Sequence, residues 1–454
     1  MPPTVTAADP AGAAAAPEFP GWRRNLAFIW LGVFVGLLGA NFVFPFIPFF
    51  IKELGVTDEA EVAYWTGLTA SVTGLSLTLT APIWGALADR FGRKAMFLRA
   101  LVGAGITIGL MGIAQSVWQL VVLRFVMGAF AGTMGAAAAL VAANTPRPKV
   151  GYALGTLQTG LFAANMLGPV MGGLVAANLG IRESFFFCAS LYAAASLLAF
   201  LFVREHAPPT PAPAEGRGGG AGIIANLRAV VRERQAVVVL VLLFVLWLST
   251  TYVRPVMPLS IDGFAGTDGA PPDRVHLTLP GWTADMREEA ATGFVFGIIG
   301  LTSTVAALAV APVGQRIGYR NAVLGAALVA GLLYIPVALA RTFTSFFLFF
   351  GAVGLFQGAM VPGTNALIAA SSPEGKQGSA FGLAASMQSL ALLVGPLAGG
   401  ATAGILGIEA VYAVIAAVLI LAAIVVRPLI REPEVFAAAR AAPPVPRERP
   451  SGAE

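Results

Sequence analysis

Few residues of this 454-residue chain could do covalent chemistry. One cysteine, Cys188, and two histidines, His206 and His276, rule out a disulfide framework and any metal centre of ordinary ligand count. No GxxxxGKS or GxxxxGKT is present to hold nucleotide phosphates. The Gly-rich EGRGGGAG (215–222) follows no strand and precedes no phosphate-binding lysine, so no cofactor is expected. Nothing sets a nucleophile beside a base, and the chain does not read as an enzyme. What remains are charges in unusual places. GALADRFGRK (85–94) concentrates Asp89, Arg90, Arg93 and Lys94 between apolar runs, with Gly85 and Gly92 allowing a tight turn. Arg124 and Arg254 are the only bases within the apolar runs, and no Asp or Glu lies in the middle of one. The chemistry open to such groups is electrostatic: a carboxylate that pairs, unpairs or takes a proton, and bases that attract an anion. Asp89, Asp262 and Glu183 are the candidate proton carriers.

The elements that must position these groups are membrane spans. The chain is 57% hydrophobic and 11% charged. Twelve stretches of about 20 apolar residues, the length that crosses ~30 Å of hydrocarbon, fall near 25–51, 65–88, 96–115, 118–142, 151–178, 183–203, 237–260, 289–313, 320–340, 343–371, 378–405 and 407–426. They are spans 1 to 12 below. Residues 1–22, rich in Ala and Pro with no basic stretch before an apolar core, read as a disordered tail, as do 431–454. With both tails placed in the cytoplasm, 21 of the 28 Lys and Arg lie on that side and five on the other, Lys52, Arg182, Arg274, Arg287 and Arg341. The formal charge of +5 is thus a topology signal, and no nucleic-acid partner is expected. The expected setting is a bacterial cytoplasmic membrane, with the chain a multi-pass monomer in the bilayer.

The chain is also duplicated. The linker 204–236, opening with REHAPPTPAPAEGRGGGAG, divides a bundle over 23–203 from one over 237–430. ALGTLQTGLFAANMLGPVMGGLVAANLGI (153–181) aligns with FGLAASMQSLALLVGPLAGGATAGILGI (381–408) at an offset of 227. FVFPFIPFF (42–50) aligns with YVRPVMPLS (252–260) at an offset of 210, Pro45 and Pro48 falling on Pro255 and Pro258. The jump in offset locates an external insertion, 262–288, expected as a solvated excursion. Six spans repeated in one orientation predict an all-α membrane protein, two six-helix bundles about a pseudo-two-fold axis along the membrane normal, with a cavity between them.

Several motifs carry a family resemblance. GALADRFGRK resembles the signature between spans 2 and 3 of the major facilitator superfamily, and VGQRIGYRN (313–321), with Arg316 and Arg320, its degenerate copy between spans 8 and 9. NMLGPVMGG (165–173) resembles the span-5 motif of the twelve-span drug:proton antiporter branch, which assigns Gly168, Pro169, Gly172 and Gly173 to it. LRFVMGAFAG (123–132) resembles the span-4 motif and LGANFVFPFIP (38–48) the span-1 pattern. The run from WRRNLAFIWLG (22–32) through GIAQSVWQLVVLR (112–124) is most similar to a multidrug efflux subgroup. The resemblance implies export of varied small molecules by alternating access coupled to proton entry, with Asp89 latching onto span 11 near Ser379.

Apart from the family, Gly168 and Gly172, extended by Ala164 and Ala176, leave one face of span 5 bare for a close helix approach. The cavity candidates are Asn41, Phe44, Arg124, Gln158, Asn165, Tyr252, Arg254, Gln357, Asn365 and Gln388. Arg124 and Arg254 either snorkel to the external interface or face the cavity. A positive cavity without carboxylates predicts small amphipathic substrates that are neutral or anionic, exchanged for protons. Two other readings stay open: an importer or facilitator of an organic anion or sugar, and a non-transporting membrane sensor.

Overall fold

The structure, a computed structural model, describes residues 21–146, 149–205, 220–267, 269–373 and 376–432. Eleven helical segments among them are long and apolar enough to cross a membrane, and α3 (Glu59–Phe91), 33 residues long, completes twelve spans.

Span 1 is α1 (Trp22–Phe42), a 3-10 turn at Phe44–Phe46 and α2 (Ile47–Glu53). The break falls where Pro45 and Pro48 remove backbone donors. Span 2 is α3. Span 3 is α4 (Arg93–Met111), and span 4 is α5 (Val117–Phe130) with α6 (Thr133–Asn144), broken at Gly132, whose φ is +110°. Spans 5 and 6 are α7 (Val150–Leu179) and α8 (Ile181–Phe202). A helix α9 (Gly220–Arg232) lies inside the segment expected as linker. Among its described residues Leu227 is half-buried and Val230, three positions on, is fully buried. Span 7 is α10 (Arg234–Val253) with α11 (Met257–Asp262), broken at Pro255 like its counterpart. Spans 8 to 12 are α12 (Glu288–Ile317), α13 (Tyr319–Ala338), α14 (Phe343–Ser371), α15 (Gln377–Leu406) and α16 (Ile408–Val426).

The insertion before span 8 folds as a hairpin, β1 (Arg274–Leu279) antiparallel to β2 (Trp282–Arg287). It is not a fully solvated excursion. Alternation turns Val275 and Leu277 inward, where both are buried, and the Thr278 amide donates to Thr344 Oγ1 of span 10 at 2.9 Å. His276 and Asp285, directly opposite in register, stand 2.6 Å apart on its other face.

Within each half, span 1 packs on spans 5 and 6 and span 3 on span 6, while span 7 packs on spans 11 and 12 and span 9 on span 12. Equivalent details repeat. Glu205, just after span 6, accepts from the amides of Arg93 (2.9 Å) and Lys94 (3.1 Å), the free N–H groups that begin span 3. Glu432, just after span 12, does the same for Tyr319 (2.8 Å) and Arg320 (3.0 Å) at the start of span 9. Each carboxylate satisfies donors that a helix N-terminus leaves orphaned and meets the positive end of its dipole.

A cavity closed on one face by paired small residues

The two halves meet chiefly through two helix pairs, span 2 with span 11 and span 5 with span 8, and span 1 also reaches spans 7 and 8. Both contacts lie toward the hairpin face. Gly173 of span 5 sits against the Glu289 carbonyl of span 8, and Gly293 of span 8 against the Pro169 carbonyl of span 5. A Cβ on Gly300 would come 2.9 Å from the Asn165 carbonyl oxygen. The other pair mirrors this: Gly400 of span 11 lies on the Ala63 carbonyl, Gly67 of span 2 on the Pro396 carbonyl, and the Leu397 amide donates to Ser71 Oγ at 3.1 Å. Backbones this close exclude any side chain larger than hydrogen.

The span-5 motif therefore works on two faces. Gly168 and Gly172 receive Leu38 and Phe42 of span 1 within their own half, while Pro169 and Gly173 meet span 8 of the other half. Gly395, Gly399 and Gly400 repeat this against spans 7 and 2. The glycine row Gly293, Gly297 and Gly300, not singled out from the sequence, is the matching face. Its spacing of four and three was the available signal.

Toward the face where Trp22 and Val426 lie, the same helices separate. A Cβ on Gly151, Gly155, Gly378 or Gly382 would meet nothing within 4 Å. Tyr152 is 68% exposed, and Leu79, Ile83, Val313, Ile317 and Phe381 are exposed too. The space between the halves opens to the terminal face and is sealed at the hairpin face.

At the inner end of that seal four sequence candidates converge: Asn41, Phe44, Asn165 and Arg254. Asn41 Nδ2 donates to Asn165 Oδ1 at 3.0 Å, and Arg254 Nη2 donates across the halves to Asn41 Oδ1 at 2.9 Å. The Arg254 guanidinium lies 4.7 Å from the ring centre of Phe44 and 5.8 Å from that of Phe296, which meet edge to face. Phe296 and Lys52 were not among the candidates. Closer to the hairpin face, Lys52 ends span 1 and forms an ion pair with Asp262, which ends span 7.

The other candidates scatter. Arg124 is 4% exposed; its carbonyl receives the Thr73 hydroxyl, and its Nε has no hydrogen-bond partner. No carboxylate among the described residues acts on Arg124 or Arg254. Tyr252 bonds Thr402 and Gln357 bonds Tyr334 (2.8 Å), both inside the second half. Asn365 carries a buried carbonyl oxygen without a partner, Gln158 is exposed and Gln388 half-buried. Glu183 is exposed in the first turn of span 6, beside the Gly180 turn. Arg93 and Lys94 hold the Ala139 and Phe200 carbonyls, and Arg320 that of Ile430. Arg316 is exposed in the last turn of span 8. Gly85, Asp89 and Arg90 fall within α3, but their side chains lie outside the described residues, and so does the expected meeting of Asp89 with span 11.

One expectation is corrected. Arg124 and Arg254 are not the only bases within spans, because Arg99 lies in α4, 3.8 Å from the ring centre of Trp84, with Nε and Nη1 buried and Nη2 donating to the Ala131 carbonyl (3.2 Å). A π face substitutes for the water that its position near the span end had suggested.

The profile described as Major Facilitator Superfamily matches residues 29–271 and 277–450. Multidrug resistance protein MdtG of Salmonella arizonae is 33% identical over 407 residues, covering 89% of this chain and 94% of that protein. The protein of the same name from Salmonella typhimurium matches to the same extent. Among solved structures, a POT family transporter in complex with 5-aminolevulinic acid superposes with a TM-score of 0.71 at 15% identity, over 92% of this chain and 97% of that one. The human organic anion transporter MFSD10 gives 0.59 at 19% identity, over 90% and 100%.

Proposed function

The chain belongs to the major facilitator superfamily and is a multi-pass membrane transporter rather than an enzyme; from that premise we propose that it exports small amphipathic compounds, neutral or anionic, in exchange for protons. The observation that carries this reading is Arg254, a guanidinium between the halves whose partners are an amide and two aromatic rings, with no ion-paired acid among the described residues. A cation brought to that place would lose hydration and gain no counter-charge, whereas an anion or a neutral aromatic would find a donor and π faces. The resistance proteins similar along nearly the whole chain support export as the direction.

The small-residue contacts support alternating access. The glycines that seal the hairpin face let the halves rock as units, since no interlocking side chains need to be extracted there. The excess of Lys and Arg on the terminal face supports a cytoplasmic position for that face in a bacterial inner membrane, which would make the cavity inward-open.

The test uses reconstituted protein in vesicles of both orientations, loaded with an anionic or a cationic dye, with and without an imposed pH gradient. Gradient-driven expulsion of the anionic dye is expected. Movement of the cationic dye alone would refute the charge preference, and accumulation in the opposite direction would make the protein an importer.

A further inference from the structure

Spans 3 and 6 pack on each other and leave an apolar groove open along their exposed side. Gly105 and Gly109 of span 3 and Ala189 and Ala193 of span 6, each pair one turn apart, line it. Its volume is about 870 Å³, and it runs from Leu98 to Ile113, about 22 Å along the helix and more than the ~15 Å depth of one leaflet. The second half fills the equivalent space. At offsets of 226 and 227, Gly109, Ala193 and Ser196 correspond to Ile335, Ile420 and Ala423. A Cβ on Gly331, the counterpart of Gly105, would come 2.9 Å from Ile420 Cγ1.

Two polar groups meet the groove of the first half. Ser196 lines it, is 8% exposed and has a hydroxyl with no hydrogen-bond partner. A buried hydroxyl of this kind calls for an acceptor that the protein does not supply. At the terminal-face end Lys94, one turn before Leu98, donates to the Phe200 carbonyl at 2.9 Å and lies 5.5 Å from the centre of that ring. An ammonium has three N–H bonds, so Lys94 keeps donors for a further acceptor.

We infer that this groove binds an anionic diacyl phospholipid from the terminal-face leaflet. One acyl chain lies over Gly105 and Gly109, an ester carbonyl accepts from Ser196, and the phosphate meets Lys94. Charge, ester and chain follow one another along the lipid in the order in which Lys94, Ser196 and the glycines follow one another along the groove. A choline or ethanolamine headgroup would set a second cation beside Lys94, whereas a glycerol headgroup adds none. One lysine near the surface favours anionic lipid by about fivefold. The site is independent of what the protein transports.

The test uses the full chain, stripped of lipid in detergent and titrated with phosphatidylglycerol or phosphatidylcholine carrying the same chains. Native mass spectrometry reads the bound lipid. The first phosphatidylglycerol should bind about fivefold tighter than the first phosphatidylcholine. Lys94→Gln should abolish that preference while the chain still binds, and Ser196→Ala should weaken both lipids about threefold. The Cβ added by Gly109→Leu would stand 3.4 Å from that of Ala189, an ordinary contact. This variant fills the groove as the second half does and should weaken binding tenfold or more. Glycerol phosphate, a headgroup without chains, should not bind where phosphatidylglycerol saturates. Equal binding of the two lipids by the wild type, glycerol phosphate binding as tightly as phosphatidylglycerol, or any of the three variants folding and binding like wild type overturns the inference. Should Gly109→Leu fail to fold, Ala193→Leu, at an exposed position, decides in its place.

Discussion

Lys52 and Asp262 occupy the same position in the two halves, 210 residues apart, and are bonded to each other. Phe44 and Arg254, offset by the same 210, also touch, with 4.7 Å between the guanidinium carbon and the ring centre. Equivalent residues can meet only beside the pseudo-two-fold axis, so both pairs mark where that axis passes through the seal. Opening toward the hairpin face must separate both.

Exchanging the charges tests this geometry. Lys52→Asp or Asp262→Lys alone should favour the open hairpin face by about 1 kcal/mol or more, the range of a partly exposed ion pair plus a new like-charge contact. The double exchange should restore most of the wild-type distribution, because the positions are equivalent. Cysteine cross-linking across the seal reads the outcome.

Gly173→Val places a branched side chain on the Glu289 carbonyl of the other half. Transport should fall at least tenfold while thermal unfolding of the protein changes little, since the clash exists only when the seal closes. Gly172→Val, against Phe42 inside one half, should instead lower the unfolding temperature, with a cost of about 1–3 kcal/mol for overpacking.

Arg254→Gln keeps a donor for Asn41 but removes the charge. Expulsion of an anionic dye should drop tenfold or more, and that of a neutral aromatic should drop by less than about threefold. Equal losses for both would show that Arg254 supports the seal rather than selecting the substrate. Dye flux in vesicles measures both.

Glu205→Gln and Glu432→Gln each weaken a carboxylate cap on two amides. Each should cost about 1 kcal/mol. The two losses should add, since they lie in separate halves. Thermal denaturation in detergent checks the sum.

Much of this site was legible and some was not. The Pro45/Pro255 repeat announced the breaks in spans 1 and 7, because proline removes a donor wherever it sits. The matching Arg204-Glu205 and Arg431-Glu432 pairs, offset by 227, were equally readable and point to the duplicated caps. Glu288 was visible only as an acid at a span end. Which acids at this face are paired depends on Arg182, Arg287 and Lys52, which come from three other elements and take Glu53, Glu289 and Asp262.

By itself the sequence determined the number of spans, the duplication and the scarcity of acids within the bilayer, because hydropathy, repeats and charge are properties of the chain order. Only the tertiary structure decided which face of each glycine-bearing helix meets its own half and which meets the other. It alone brought Lys52 to Asp262 and Arg254 to Asn41 and Phe44. An internal repeat states which residues are equivalent, but how far apart they lie depends on their distance from the axis, and packing sets that distance.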